Sequence, residues 1–191
     1  MTLGIPDAAH RAALADVVGR VVRLDPAVAV RLRATPDGVG LWAATPFDVL
    51  VAAGVPGRVH PSDVTVVGSD LLAALSVVDA PELDPGAPVD DRWRGALPPV
   101  GPWRGVGEVP AAAVDDAVAG GALDDTAWEH DGVRVPARCL VAVAGMGWSD
   151  DGGPVPVELS DDGAWLRLVA GPPAVGAGIV RHRRPRLSLL T

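Results

Sequence analysis

Residues 27–34, AVAVRLRA, alternate along the chain: Val28, Val30 and Leu32 fall on one side, Arg31 and Arg33 on the other. Successive side chains of a strand point to opposite faces, so this pattern describes a strand with one face buried and one face wet. Thr35-Pro36-Asp37-Gly38 follows, and the Pro-Asp-Gly order suits a tight turn. VGLWAAT is then the return strand, broken by Thr45-Pro46. An antiparallel hairpin is therefore the element on which the first half must be built.

Its neighbours can be read around it. In residues 7–22, Leu14, Val17, Val18 and Val21 form an i, i+3, i+4, i+7 stripe, which predicts a helix ended by Asp25-Pro26. FDVLVAA (47–53) and DVTVV (63–67) read as a third and a fourth strand. SDLLAALSVV reads as a short helix with Ser69 as its N-cap. From 79 to 109 periodicity is lost, with Pro at 81, 85, 88, 98, 99 and 102. A helix then starts at Pro110 and stops at Gly120-Gly121; ALDDTAWEH reads as another short helix. The stretch 136–146 is apolar on nearly every side, which predicts a buried helix. PVPVELS and AWLRLVA flank Asp161-Asp162-Gly163 as a β-hairpin, and Gly171-Pro172-Pro173 leads into a last extended stretch.

The expected class is α+β: an antiparallel meander with flanking helices in 1–78, a Pro-rich connector in 79–109, and helices plus a β-hairpin in 110–191. The two ends could fold apart or as one compact unit. The early meander (AVAVRLRATPDGVGLWAATPFDVLV), the RWRGALPP segment and the apolar VPARCLVAVAGMGW before a hairpin resemble uncharacterised conserved proteins of GC-rich actinobacteria. That resemblance implies a fold of this layout and no activity.

Composition narrows the chemistry. All 16 basic residues are Arg, and Lys, Tyr, Asn and Gln are absent. Schiff-base lysine and tyrosine acid–base chemistry are thereby excluded, as is a P-loop, which needs Lys. No Gly-x-Ser-x-Gly elbow occurs. The four histidines, His10, His60, His130 and His182, show no ligand spacing, and the single Cys139 permits neither an internal disulfide nor a cysteine-rich zinc site. No metal and no cofactor is expected. Cys139 lies in the apolar 136–146 stretch and reads as buried and inert.

The net charge is −8, and residues 181–191 hold four of the 16 arginines and none of the 24 acids. An acidic body argues against nucleic acid as a partner. No apolar run is long enough to span a membrane, and no leader pattern opens the chain, so a soluble cytoplasmic protein is expected.

Three groups of residues remain as candidate sites. The first is the repeated Trp-Arg-Gly of the connector: Trp93, Arg94, Trp103 and Arg104. Trp and Arg suit a protein interface, but the favoured reading is that two indoles ten residues apart pin a stiff connector to the two halves. The second is the basic tail, Arg181, Arg183, Arg184 and Arg186, suited to an acidic partner, to a phosphate or to the charged face of a last strand. The third is a polar knot, Asp125, Glu129 and His130, which a small-molecule pocket or an enzyme could use and which otherwise reads as a solvated helix end. A winged helix over 110–170, with 136–146 as reader, is a further alternative, but only Arg138 would face DNA. The leading expectation is a non-catalytic protein that binds a protein partner or itself; whether the chain is an enzyme stays open.

Overall fold

The computed structural model describes residues 1–77, 80–120, 122–149 and 152–183. The first half runs β1 (Thr2–Gly4), α1 (Ala8–Leu24), β2 (Ala29–Thr35), β3 (Gly38–Ala44), β4 (Leu50–Val55), β5 (Arg58–His60), β6 (Asp63–Val67), α2 (Gly68–Val77) and β7 (Glu82–Leu83). The second half runs β8 (Trp103–Val109), α3 (Ala111–Ala119), β9 (Thr126–His130), β10 (Val133–Pro136), α4 (Ala137–Gly145), β11 (Val155–Ser160), β12 (Trp165–Val169) and β13 (Gly178–His182). The fold is α+β with antiparallel sheets.

The alternating stretch forms β2 and β3 as its pattern dictates, paired from Thr35↔Gly38 back to Val30↔Ala43. The meander continues through β4 and joins the second half directly: β4 pairs antiparallel with β13, Val51 facing Ile179. One eight-stranded sheet results, in the order β6-β2-β3-β4-β13-β12-β11-β8. Each half contributes four neighbouring strands, and the two halves correspond about the β4–β13 seam: β1-α1-β2-β3-β4 matches β10-α4-β11-β12-β13 in order and direction of travel.

The sheet has two unlike faces. Val30, Leu32, Leu41, Val51, Ile179 and Leu168 point inward with almost no exposure, toward α1 packed on α2 and α3 packed on α4. Each such side chain contributes about 2 kcal/mol by leaving water. The residues between them face outward. Asp7 caps α1 by accepting a hydrogen bond from the His10 backbone N–H, which holds its carboxyl below the ordinary value. The halves are also stitched side chain to backbone. Arg20 of α1 donates to the Met146 and Gly147 carbonyls, and Arg138 of α4 donates to the Phe47 carbonyl.

Several expectations are corrected. ALDDTAWEH is not a helix: Thr126–His130 is strand β9, paired with β10 across Asp131-Gly132. The Asp-Gly turn and the β-branched run after it outweigh the helical propensity of the segment. α2 opens at Gly68, so Ser69 lies inside its first turn rather than capping it. The 79–109 connector is not structureless throughout, since β7 and β8 lie within it. The 136–146 stretch is no recognition helix: Cys139, Leu140, Ala142 and Val143 of α4 are buried in the core, which rules out the winged-helix reading. No helix among the described residues is long and apolar enough to cross a membrane.

Candidate functional site

The connector leaves the sheet at one edge and rejoins it at the other. At the β6 edge, Val66 bridges Pro88, Val89 N–H donates to the Thr65 carbonyl, and Thr65 N–H donates to Asp90 Oδ1 at 2.6 Å. At the far edge, Trp103 opens β8 opposite Ser160. Residues 88–103 thus cross the outer face of all eight strands, a span of roughly 34 Å at about 4.8 Å per strand. Sixteen residues fully extended reach about 50 Å, so the connector uses about two thirds of its reach and has room for the turn at Asp90–Arg92. Proline favours an extended conformation and lowers the entropy lost on ordering it. Pro98 is buried against the sheet.

Each Trp-Arg-Gly copy meets an arginine of the outer face. In the first half Arg31 of β2 forms a two-pronged pair with Asp63 of β6, both contacts 2.7 Å, and its guanidinium lies 5.9 Å from the Trp93 ring centre. The hydrogen bonds from Arg31 hold the Asp63 carboxyl below its ordinary value and raise the Arg31 guanidinium. In the second half Arg167 of β12 bonds Glu158 of β11 at 2.6 Å and lies 4.7 Å over the Trp103 ring. Trp93 Nε1 is satisfied locally by the Gly95 carbonyl at 2.6 Å. Both indoles are half-buried, whereas Arg94 and Arg104 project into solvent.

Between these two anchors the connector and the sheet enclose a groove of about 470 Å³, lined by Gly40, Trp42, Pro98, Val100, Trp103 and Arg167 among others. Gly40 makes room for the Trp42 ring in the groove wall: a Cβ there would lie 2.2 Å from that ring. Val100, on the connector at the groove mouth, is 53% exposed. The groove is mostly apolar, its arginine already neutralised by Glu158.

The other candidate residues fall elsewhere. His130 is more than half exposed, stacks on Trp128 at 5.7 Å between ring centres and reaches Asp131 at 3.5 Å. Glu129 instead bonds Arg134, and the Asp125 side chain is exposed; the three do not converge on a common pocket. Cys139 is fully buried, and loss of hydration pushes its thiol up to about 12, so it is no nucleophile. Arg181 and Arg183 lie at the end of β13 beside a wide cleft under the β9–β10 hairpin. Arg184 and Arg186 lie outside the described residues. No group of three or more His, Cys, Asp or Glu side chains suited to a metal occurs among the described residues.

Residues 1–95 match the family described as Domain of unknown function (DUF8010). No curated protein matches the chain by sequence. Among solved structures the fold is similar to that of DNA polymerase sliding clamps. The clamp of Bacillus subtilis gives a TM-score of 0.54 at 9% identity, covering 98% of this chain and 67% of that one. The clamp of Caulobacter crescentus gives 0.54 at 15% identity, covering 97% and 67%. A putative DNA polymerase III beta subunit from Eubacterium rectale gives 0.56 at 8%, covering 98% and 66%. The chain therefore has the fold of these clamps and spans about two thirds of their length.

Sequence reasoning found Trp93 and Trp103 but missed Trp42, Val100, Glu158 and Arg167. One sign of Trp42 was available: it sits at the strand position that alternation assigns to the outer face, where Arg31 and Arg33 lie on the neighbouring strand. The pairing of Glu158 with Arg167 needs the register of β11 on β12, which no local pattern supplies.

Proposed function

We infer that the protein is a non-catalytic interaction module, and that the outer-face groove beneath the connector takes a short apolar segment of a partner protein or of a second copy. The observation that carries this reading is the groove itself: an apolar channel with an exposed Val100 at its lip, held open by a connector anchored through an aromatic ring at each end. Aromatic and arginine side chains presented on a rigid support are what protein interfaces use most effectively.

The sheet edges argue for the same face. The β6 edge is occupied by residues 88–90. β8 is flanked by Pro102 and Pro110 and carries a bulge at Val106, devices that discourage addition of another strand. A partner is therefore better accommodated on the outer face than by extension of the sheet.

The clamps it resembles are described as DNA polymerase clamps. In this chain the exposed side of α2 and α3 carries Asp70, Asp115 and Asp116, which repel a phosphate backbone, while Asp16 of α1 is paired with Arg20. We therefore do not extend DNA as a partner to this protein.

A photo-crosslinking residue at position 100, in the protein's own host, tests the reading against one at position 118, an exposed valine of α3. One defined adduct from position 100, absent from position 118 and lost when Ala52→Trp fills the groove, is the expected result. The same adducts from both positions, or none from position 100, would overturn it. Native mass spectrometry of the adduct separates a second copy from a different protein.

A further inference from the structure

We propose that the cleft at the end of β13 binds a phosphate dianion, as carried by a small phosphorylated molecule, between Arg181 and Arg183. The cleft, about 970 Å³, lies between the β9–β10 hairpin and the β12–β13 end, and Thr126, Glu129, Arg134, Arg181, His182 and Arg183 are among its walls. It is separate from the outer-face groove and does not depend on the interaction reading above.

The argument rests on which charges are already matched. Both acids of the cleft are committed: Glu129 to Arg134 at 2.8 Å, and Asp124 to Arg138. The two arginines at the end of β13 are not. Arg183 donates to the Gly163 carbonyl and has no carboxylate partner among the described residues. Arg181 meets a single carboxylate among the described residues, Asp48 at 3.9 Å, which is already 3.2 Å from Arg138, and it otherwise lies against the buried Cys139 thiol.

Arg181 is nonetheless largely desolvated, with 17% of its side chain exposed and its Nη1 buried without a hydrogen-bond acceptor. A buried guanidinium lacking a full complement of acceptors is costly, and the cost is offset when an anion completes it. The chain holds 24 acids against 16 arginines, so two neighbouring arginines without close carboxylates are against the trend of the whole molecule. Two positive charges that share at most one distant carboxylate, already held by Arg138, suit a phosphate monoester of charge about −2 better than a lone carboxylate or a singly charged phosphodiester. The volume accommodates a small-molecule ligand.

The test titrates the full-length chain with inorganic phosphate at neutral pH, chloride balancing the ionic strength, while the arginine side-chain N–H signals are followed by NMR. The expected result is saturable movement of the Arg181 and Arg183 signals. Affinity should fall about tenfold or more in both Arg183→Ala and Arg183→Gln, with melting temperatures in chloride unchanged. Four results would each overturn the proposal: no saturation; equal binding by succinate; tighter binding by a DNA duplex than by phosphate; or unchanged phosphate affinity in both variants. Movement of the Arg184 and Arg186 signals alone would likewise reject this cleft as the site.

Discussion

The two Trp-Arg-Gly copies are identical as tripeptides and unlike as structures. Trp103 opens a strand: its backbone is in register with Ser160, and its ring lies 4.7 Å from Arg167, which Glu158 holds in place. Trp93 follows a single 3-10 turn at Asp90–Arg92, bonds its own segment through Gly95, and stands 5.9 Å from Arg31. The second copy is part of the sheet, and the first only leans on it. The arginines under the two rings are held in the same manner, each by a carboxylate on the adjacent strand. The difference is therefore one of backbone membership rather than of side-chain chemistry. A ring whose backbone is already fixed loses little further entropy on packing, while a ring on a strap must order its own segment first.

That comparison can be broken most directly by truncation. Trp103→Ala is expected to cost about 2–3 kcal/mol and Trp93→Ala about 1 kcal/mol, read from urea denaturation midpoints. Equal losses would show that the strap is as firmly seated as the strand. Double-mutant cycles sharpen the point at smaller scale. Coupling of Trp103 to Arg167 should be about 1 kcal/mol and that of Trp93 to Arg31 about 0.5 kcal/mol, in keeping with distance and exposure. A larger coupling for the Trp93 pair would reverse the ranking.

The smallest effect concerns pH. The Asp63 carboxyl is held below its ordinary 3.8 by the hydrogen bonds from Arg31. A depressed folded-state value contributes stability above the ordinary value, and this is lost as pH falls through the lowered one. Asp63→Asn should therefore be less stable than the parent at neutral pH, with the gap closing as pH falls below the ordinary carboxyl value of 3.8. A gap that persists in acid would mean the pair acts through packing and not through charge. Because the pair is partly exposed, this effect ranks below the two others.

Much of the strand content was legible from local pattern. β2, β3 and the β11–β12 hairpin follow from alternation and from Pro-Asp-Gly and Asp-Asp-Gly turns. α1 follows from its apolar stripe, and the burial of α4 from its uniformly apolar residues. The segment 122–130 was misread because nine residues with several helix formers carry no period of their own. Only the pairing of Trp128 with Val135 across the turn makes them a strand. The candidate site was half legible. Unusual residues in an aperiodic stretch pointed to Trp93 and Trp103, but the groove between them uses Trp42 and Arg167 from strands far away in the chain.

By itself, then, the amino-acid order determined which segments alternate, which carry an apolar stripe, where the turns fall, and that lysine and tyrosine chemistry are absent. Those properties are set by side chains a few residues apart, within reach of local sterics and hydration. The joining of the halves through β4 and β13, the route of the connector over the outer face, the groove at Gly40, and the unmatched charges of Arg181 and Arg183 were decided by tertiary structure alone. Each depends on groups tens to more than a hundred residues apart. They meet only after burial of one apolar face has fixed the order of the strands.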